Sequence, residues 1–130
     1  ASLDEQIRRF DYKVEAGAEF VLTRPILDVA GLERFLTRAA HAKLPVIASL
    51  SPFESARTAE FMANEVPGVQ VPDAVVERMK AAPTAEAAAA EGIAIAREIA
   101  ERIRPLVQGI QVATPSGNVD AALAVLNGLR

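Results

Sequence analysis

The chain has 130 residues, of which 51% are hydrophobic and 5% aromatic, so we expect one domain or a piece of a larger one. The net charge of −3 gives no electrostatic basis for binding nucleic acid or anionic membranes. The lack of cysteine excludes disulfides and thiolate nucleophiles, and a single histidine excludes a multi-histidine zinc site. No signal core or apolar run of roughly 20 residues is seen, so a cytoplasmic protein without a membrane span is the expectation.

The first segment predicts a helix followed by a strand. Ser2 and Glu5 have the spacing of a capping box, and Gly17 suits the left-handed position that ends a helix. Between them an apolar stripe recurs at helical spacing, formed by Leu3, Ile7, Phe10 and Val14. The run at 20–23 then predicts a buried strand that stops at Pro25.

Helices and strands continue to alternate along the rest of the chain. The predicted elements are a helix capped by Asp28, a strand at 46–50, a helix opened by Ser51-Pro52 that stops near Pro67, helices at 72–81 and 84–105, a strand at 109–114 and a final helix. The strands are continuously apolar, which is typical of a parallel sheet covered by helices. Three strands cannot close a (β/α)8 barrel, which needs eight strands and about 250 residues.

The predicted fold class is therefore α/β, with three parallel strands and covering helices that form part of a TIM-type barrel. We expect polypeptide outside the chain to complete its chemistry. An alternative is a homo-oligomer in which exposed strand edges pair between copies.

Three stretches of sequence carry a family resemblance. They are K-V-E-A-G-A at 13–18 followed by L-T-R-P at 22–25, N-E-V-P-G-V at 64–69, and A-E-G-I-A-I-A at 90–96. Together they resemble the C-terminal part of the flavin-dependent methylenetetrahydrofolate reductases, especially the form fused to a homocysteine S-methyltransferase in some bacteria. Because the resemblance runs through nearly the whole chain, residues 1–130 are predicted to be a partial barrel domain of this family.

The resemblance implies an oxidoreductase of one-carbon and methionine metabolism. The family barrel binds FAD, takes hydride from a reduced nicotinamide such as NADH, and reduces 5,10-methylenetetrahydrofolate to 5-methyltetrahydrofolate. The three strands here would be the last three, so the family's acidic residue and most flavin contacts would lie in earlier strands. We therefore assign no catalytic residue to this chain, and we expect as partners folate, nicotinamide dinucleotide and the missing N-terminal strands or a partner chain.

Candidate FAD contacts lie on the first helix. Lys13 matches a lysine that helps to hold FAD in the family. Arg9 and Tyr12 share its helix face, because positions i, i+3 and i+4 are neighbours. Two cations and a phenol suit a dinucleotide pyrophosphate, while a plain solvated surface is the alternative interpretation.

Candidate folate contacts are Arg24, Thr58 and Met62. The family usually has a glutamine at the Arg24 position, at the strand end where such barrels keep their active sites. Arginine only donates hydrogen bonds, so it suits a carboxylate of the folate tail, or an ion pair with Asp28. Thr58 and Met62 lie near positions that line the folate pocket in relatives, although Met62 also suits ordinary core packing.

Two further features of the sequence are the turn at 115–118 and the single histidine, His41. The turn at 115–118 is either an anion site or a tight turn capped by Asn118, and Gly117 lies where relatives carry an arginine that meets the folate tail. With Arg24, this change favours a second hypothesis, a truncated non-catalytic paralogue that acts as a binding or oligomerisation module. His41, near a helix C-terminus, is expected to have a surface role.

Overall fold

Helices and strands alternate in the computed structural model, which describes residues 3–65, 71–114, 117–127 and 129. In chain order the elements are α1 (Leu3–Glu15), β1 (Val21–Pro25), α2 (Val29–Ala39), β2 (Val46–Leu50), α3 (Ala56–Glu65), α4 (Asp73–Ala81), α5 (Ala85–Ile103), β3 (Gly109–Val112) and α6 (Val119–Asn127). Short 3-10 turns follow α2, at Ala40–Ala42, and α5, at Arg104–Leu106. None of the helices described is long and apolar enough to cross a membrane.

The three strands form one parallel sheet in the order β1-β2-β3. Val21 is paired with Val46, and Leu50 with Val112. The sheet is not closed, because β1 and β3 are its two edges in the part of the chain that the structure describes. The predicted class, a parallel α/β sheet that forms an incomplete barrel, is confirmed.

The helices cover one face of this sheet. On that face Ala48 and Leu50 of β2 are fully buried and belong to the same core as Ile99 of α5 and Val125 of α6. A second, smaller cluster packs the apolar stripe of α1 against α2 and Val21. Burial against helices explains the apolar residues on this face of the strands.

The other face of the sheet, here called the open face, has no helix on it among the described residues. Its side chains follow from the alternation of a strand: they are Leu22, Ile47, Ser49, Gly109 and Gln111. None of them belongs to either core cluster, and Leu22 is 52% exposed. In a closed barrel this face would line the interior.

β1 contains a bulge near its carboxyl end. Leu22 is paired with Ile47 but Pro25 with Ser49, so two residues of β1, Thr23 and Arg24, lie opposite one residue of β2. The Thr23 Oγ1 accepts a 3.0 Å hydrogen bond from the Ser49 N–H and donates a 2.8 Å bond to the Arg24 carbonyl oxygen. A side chain thus satisfies a backbone donor that the interrupted ladder would leave unpaired.

The strand bounds differ from the prediction at three places, the first being that β1 begins at Val21 and not at Phe20. β1 runs on to Pro25, because proline is tolerated on an edge strand where its missing N–H breaks no ladder bond. β3 ends at Val112, two residues earlier than predicted. Gly17 has the predicted left-handed backbone, with φ of +106°.

Side-chain caps begin three of the described helices, but not α2, where Asp28 occupies the predicted N-cap position without a side-chain cap hydrogen bond. Thr84 and Asn118 cap α5 and α6, accepting from the N–H groups of Ala87 (3.0 Å) and Ala121 (3.1 Å). The predicted start of α3 at Ser51-Pro52 is wrong, because Ser55 forms the cap, its Oγ accepting from the Thr58 N–H at 3.2 Å.

The end of α5 also differs from the prediction. It stops at Ile103 and gives way to the 3-10 turn, instead of continuing to Pro105. The predicted features at Ser2, Pro67 and Pro115-Ser116 lie outside the described residues.

Candidate functional site

Arg9, Tyr12 and Lys13 lie on the solvent side of α1. The apolar stripe of this helix faces inward, with Ile7 and Phe10 buried. All three candidate side chains are exposed, Tyr12 to 77%. Among the described residues none of them has a side-chain hydrogen bond or ion pair, so the shared face predicted from spacing is available to a ligand.

α1 is fixed to the C-terminal end of α2 by polar contacts. The Asp11 Oδ1 lies 2.7 Å from the His41 Nε2, and the His41 Nδ1 lies 2.9 Å from the Arg38 carbonyl oxygen. Arg38 in turn contacts Asp4 at 3.0 Å. The predicted surface position of His41 is confirmed, and its ring additionally joins two elements.

Arg24 lies at the carboxyl end of β1, within the bulge, and is exposed. The ion pair with Asp28 that the sequence allowed is not formed, because the Asp28 carboxylate lies 3.8 Å from Arg34 instead. No carboxylate in the described ranges forms an ion pair with Arg24. Its guanidinium group is therefore available to an external anion.

Thr58 and Met62 both lie on α3, which follows the carboxyl end of β2. The Thr58 Oγ1 is 3.0 Å from the Ser55 Oγ, so this hydroxyl takes part in the helix cap. Met62 is half-buried and packs against the main core, as its alternative interpretation predicted. Thr58 is thus the more accessible of the two side chains.

The candidate residues form two separate groups. α1 packs where the chain leaves α2 and enters β2, near the amino ends of the strands, whereas Arg24 and Thr58 lie toward the carboxyl ends. The length of β1, five residues, corresponds to roughly 16 Å. A single ligand that contacted both groups would have to be elongated, as a dinucleotide is.

Gln111 is a further polar residue near the candidate site, and no motif in the sequence points to it. It lies on the open face and is paired with Ser49, which is paired with Pro25, so the three form one row across the sheet. Its side chain is exposed and has no hydrogen bond to any described residue. The feature of the sequence that could have indicated Gln111 is a glutamine within an otherwise apolar strand.

A small crevice is present among the described residues, next to the main core. It has a volume of about 10 Å³ and lies beneath the loop after β2, lined by residues that include Leu50, Phe53 and Ile99. This is room for about one water molecule and far too small for a flavin or a folate. No group of three or more histidine or carboxylate side chains in these ranges is placed to bind a metal ion.

Comparison with solved structures shows a shared fold. The chain is similar to a protein described as "Uncharacterized protein from Clostridium thermocellum binds two copies of 5-methyl-5,6,7,8-tetrahydrofolic acid", with a TM-score of 0.68 and 15% sequence identity. The match covers 97% of this chain and 48% of that one, so the chain spans about half the length of the solved protein. No curated protein sequence matches the chain.

Comparison with family profiles gives the assignment. The profile described as methylenetetrahydrofolate reductase matches residues 1–114, which is most of the chain. The resemblance seen in the sequence motifs is confirmed by this match. The chain belongs to the methylenetetrahydrofolate reductase family.

Proposed function

We propose that the chain is part of a flavin-dependent enzyme that reduces 5,10-methylenetetrahydrofolate to 5-methyltetrahydrofolate with hydride from NADH by way of FAD. The family match over residues 1–114 carries this proposal, since the family is one of folate-related oxidoreductases that generally depend on flavin. The solved protein of similar fold binds 5-methyltetrahydrofolate, which is the product of this reaction.

In this proposal residues 1–130 contribute the last three βα units of a barrel, and further βα units, attached or from a partner chain, complete it. Apolar side chains at both edges of the sheet support this. Phe20 and Leu22 are 57% and 52% exposed beside β1. On α6, beside β3, Val119, Leu123 and Leu126 recur at helical spacing and are exposed. Neighbouring βα units would bury both apolar surfaces.

The exposed face of α1 would hold part of the FAD. Arg9 and Lys13 fit a pyrophosphate because their cationic groups have no ion pair with a described carboxylate, and Tyr12 adds a phenol beside them. Bound FAD would supply the hydride-transfer chemistry, while these side chains would fix its position.

The carboxyl end of the sheet would hold the folate. Arg24 would bind a carboxylate of the glutamate tail, since guanidinium and carboxylate match in charge and in hydrogen-bond geometry. Thr58 would add a hydroxyl from the first turn of α3. Met62 would contribute less, because it is already packed against the core.

A flavin spectrum of the protein expressed from its complete gene tests the proposal. We expect a yellow protein whose flavin absorbance is bleached by NADH under anaerobic conditions and restored by 5,10-methylenetetrahydrofolate. Colourless protein that takes up no added FAD would contradict the reductase function.

Arg24 favours a second candidate function, a non-catalytic folate-binding or oligomerisation module. Its donor-only side chain stands where the family resemblance implies an amide. The same preparation separates the two functions, because a module would bind folate or a partner chain without taking up flavin.

A further inference from the structure

Gln111 carries an amide that needs a partner. The open face has an apolar row formed by Leu22, Ile47 and Gly109, followed toward the carboxyl ends by the row of Pro25, Ser49 and Gln111. When further βα units cover this face, a Gln111 amide without a partner would lose its hydrogen bonds to water and gain none in return. A partner must therefore come from the completing units or from a ligand.

The position of Gln111 favours a ligand. It lies toward the carboxyl end of β3, and ligands of parallel βα barrels bind at that end. Arg24 lies toward the same end of β1, and two strand spacings of about 4.8 Å place the two strands about 10 Å apart. The small, buried Ser49 lies between the two strands, so one folate molecule bound at this end of the sheet can reach both edge strands.

The two side chains are chemically complementary. Arg24 offers donors alone, whereas the Gln111 amide both donates and accepts. The pterin ring of a folate presents N–H donors next to a carbonyl acceptor, which a guanidinium group alone cannot match. We propose that Gln111 is a specificity-determining residue that binds the pterin edge of the folate and supplies the acceptor that Arg24 lacks. This inference rests on the proposed function.

A double-mutant cycle on the complete protein tests the role of Gln111, with 5-methyltetrahydrofolate binding measured by calorimetry. We expect Gln111→Leu to weaken binding by about tenfold or more. Arg24→Gln returns an amide to β1, so in that background Gln111→Leu should weaken binding by less than about threefold. Thermal unfolding of each variant identifies any loss of fold. Gln111→Met, which keeps the side-chain length but loses the amide acceptor, replaces a Gln111→Leu protein that does not fold.

The outcomes separate this inference from the proposed function. Wild-type protein that does not bind 5-methyltetrahydrofolate would overturn both. Wild-type binding that Gln111→Leu leaves unchanged would overturn the role of Gln111 and leave the proposed function standing. An equal loss in both backgrounds would show that Gln111 does not compensate for Arg24, and would also overturn the inference.

Discussion

Gly92 of α5 packs directly against the backbone of Phe53, in the loop between β2 and α3. A Cβ atom at residue 92 would lie 1.8 Å from the Phe53 carbonyl oxygen and 2.8 Å from its carbonyl carbon. Both residues are buried. The absence of a side chain at position 92 therefore lets the longest helix approach the loop that follows the central strand.

We expect Gly92→Ala to destabilise the protein. In an exposed helix this change stabilises by about 1 kcal/mol, but here the methyl group meets backbone that can move only by repacking the core, at a cost of about 1–3 kcal/mol or more. Urea unfolding measures the difference. Gly109→Ala is the matched control, because its new Cβ would have its nearest contact at 3.5 Å, with Ile47, and should change stability little. A Gly92→Ala protein as stable as the control would contradict this account.

The contact between Gly92 and Phe53 is of a kind that could not be predicted from the sequence, because it joins residues that are far apart along the chain. β2 was predicted with the observed bounds, because an apolar run between Pro45 and Ser51 depends on local signals. The start of α3 was not, because Ser51-Pro52 is also a good helix start. What displaces the helix is the burial of Phe53 under α5, a contact between residues far apart in the sequence.

In the candidate site, too, the features set by local spacing could be predicted from the sequence, and those set by contacts between distant residues could not. The shared face of Arg9, Tyr12 and Lys13 was predictable, since helical spacing alone determines it. Gln111 was missed because a continuously apolar strand does not reveal which of its faces the helices leave uncovered. The β1 bulge depends on a hydrogen bond between Thr23 and Ser49, which no local pattern indicates.

The bulge can be tested through its hydroxyl group. Thr23→Val keeps the side-chain shape and raises β propensity, but leaves the Ser49 N–H without the acceptor it has now. We expect a loss of about 1–3 kcal/mol in the free energy of unfolding. Thr37→Val is the control, because that exposed hydroxyl bonds the Glu33 carbonyl oxygen within α2, and we expect a change below about 0.5 kcal/mol. A Thr23→Val protein more stable than wild type would show that the hydrogen bond is unimportant.

Arg78 joins α4 to α5 through two carboxylates. Its Nε lies 2.6 Å from Glu91 and its Nη1 lies 2.7 Å from Glu98. The pKa of Arg78 is raised above its ordinary value, mainly by the hydrogen bond to Glu98. Desolvation opposes this rise, and the hydrogen bond and charge of Glu91 add to it. Because the pKa of Arg78 is higher in the folded protein than in the unfolded chain, the pair stabilises the fold fully at pH values below the pKa of the unfolded chain. This stabilisation is lost only as the pH rises through the pKa that Arg78 has in the folded protein.

The pKa of Arg78 lies far above neutrality in the folded and in the unfolded state. We therefore expect Arg78→Met to lower the free energy of unfolding by the same amount at every pH between about 6 and 9. Because the side chain is 39% exposed, solvent screening limits the expected cost to about 1 kcal/mol, and added salt should reduce it. Arg97→Met, at an exposed α5 position without an ion pair to a described residue, should have almost no effect. Chemical unfolding at several pH values gives these costs, and a cost that disappeared by pH 9 would be inconsistent with the bridge.

The proposed flavin face of α1 predicts that Lys13→Ala weakens FAD binding without unfolding the protein. Losing one charge-assisted contact to a phosphate should cost about tenfold or more in affinity. Arg102→Ala is the matched control: Arg102 is an exposed cation on α5, without an ion pair to a described residue. Fluorescence titration of FAD into flavin-free protein, with thermal unfolding in parallel, measures both effects. Equal FAD affinity in the Lys13→Ala and Arg102→Ala proteins would show that the Lys13 face is ordinary solvated surface.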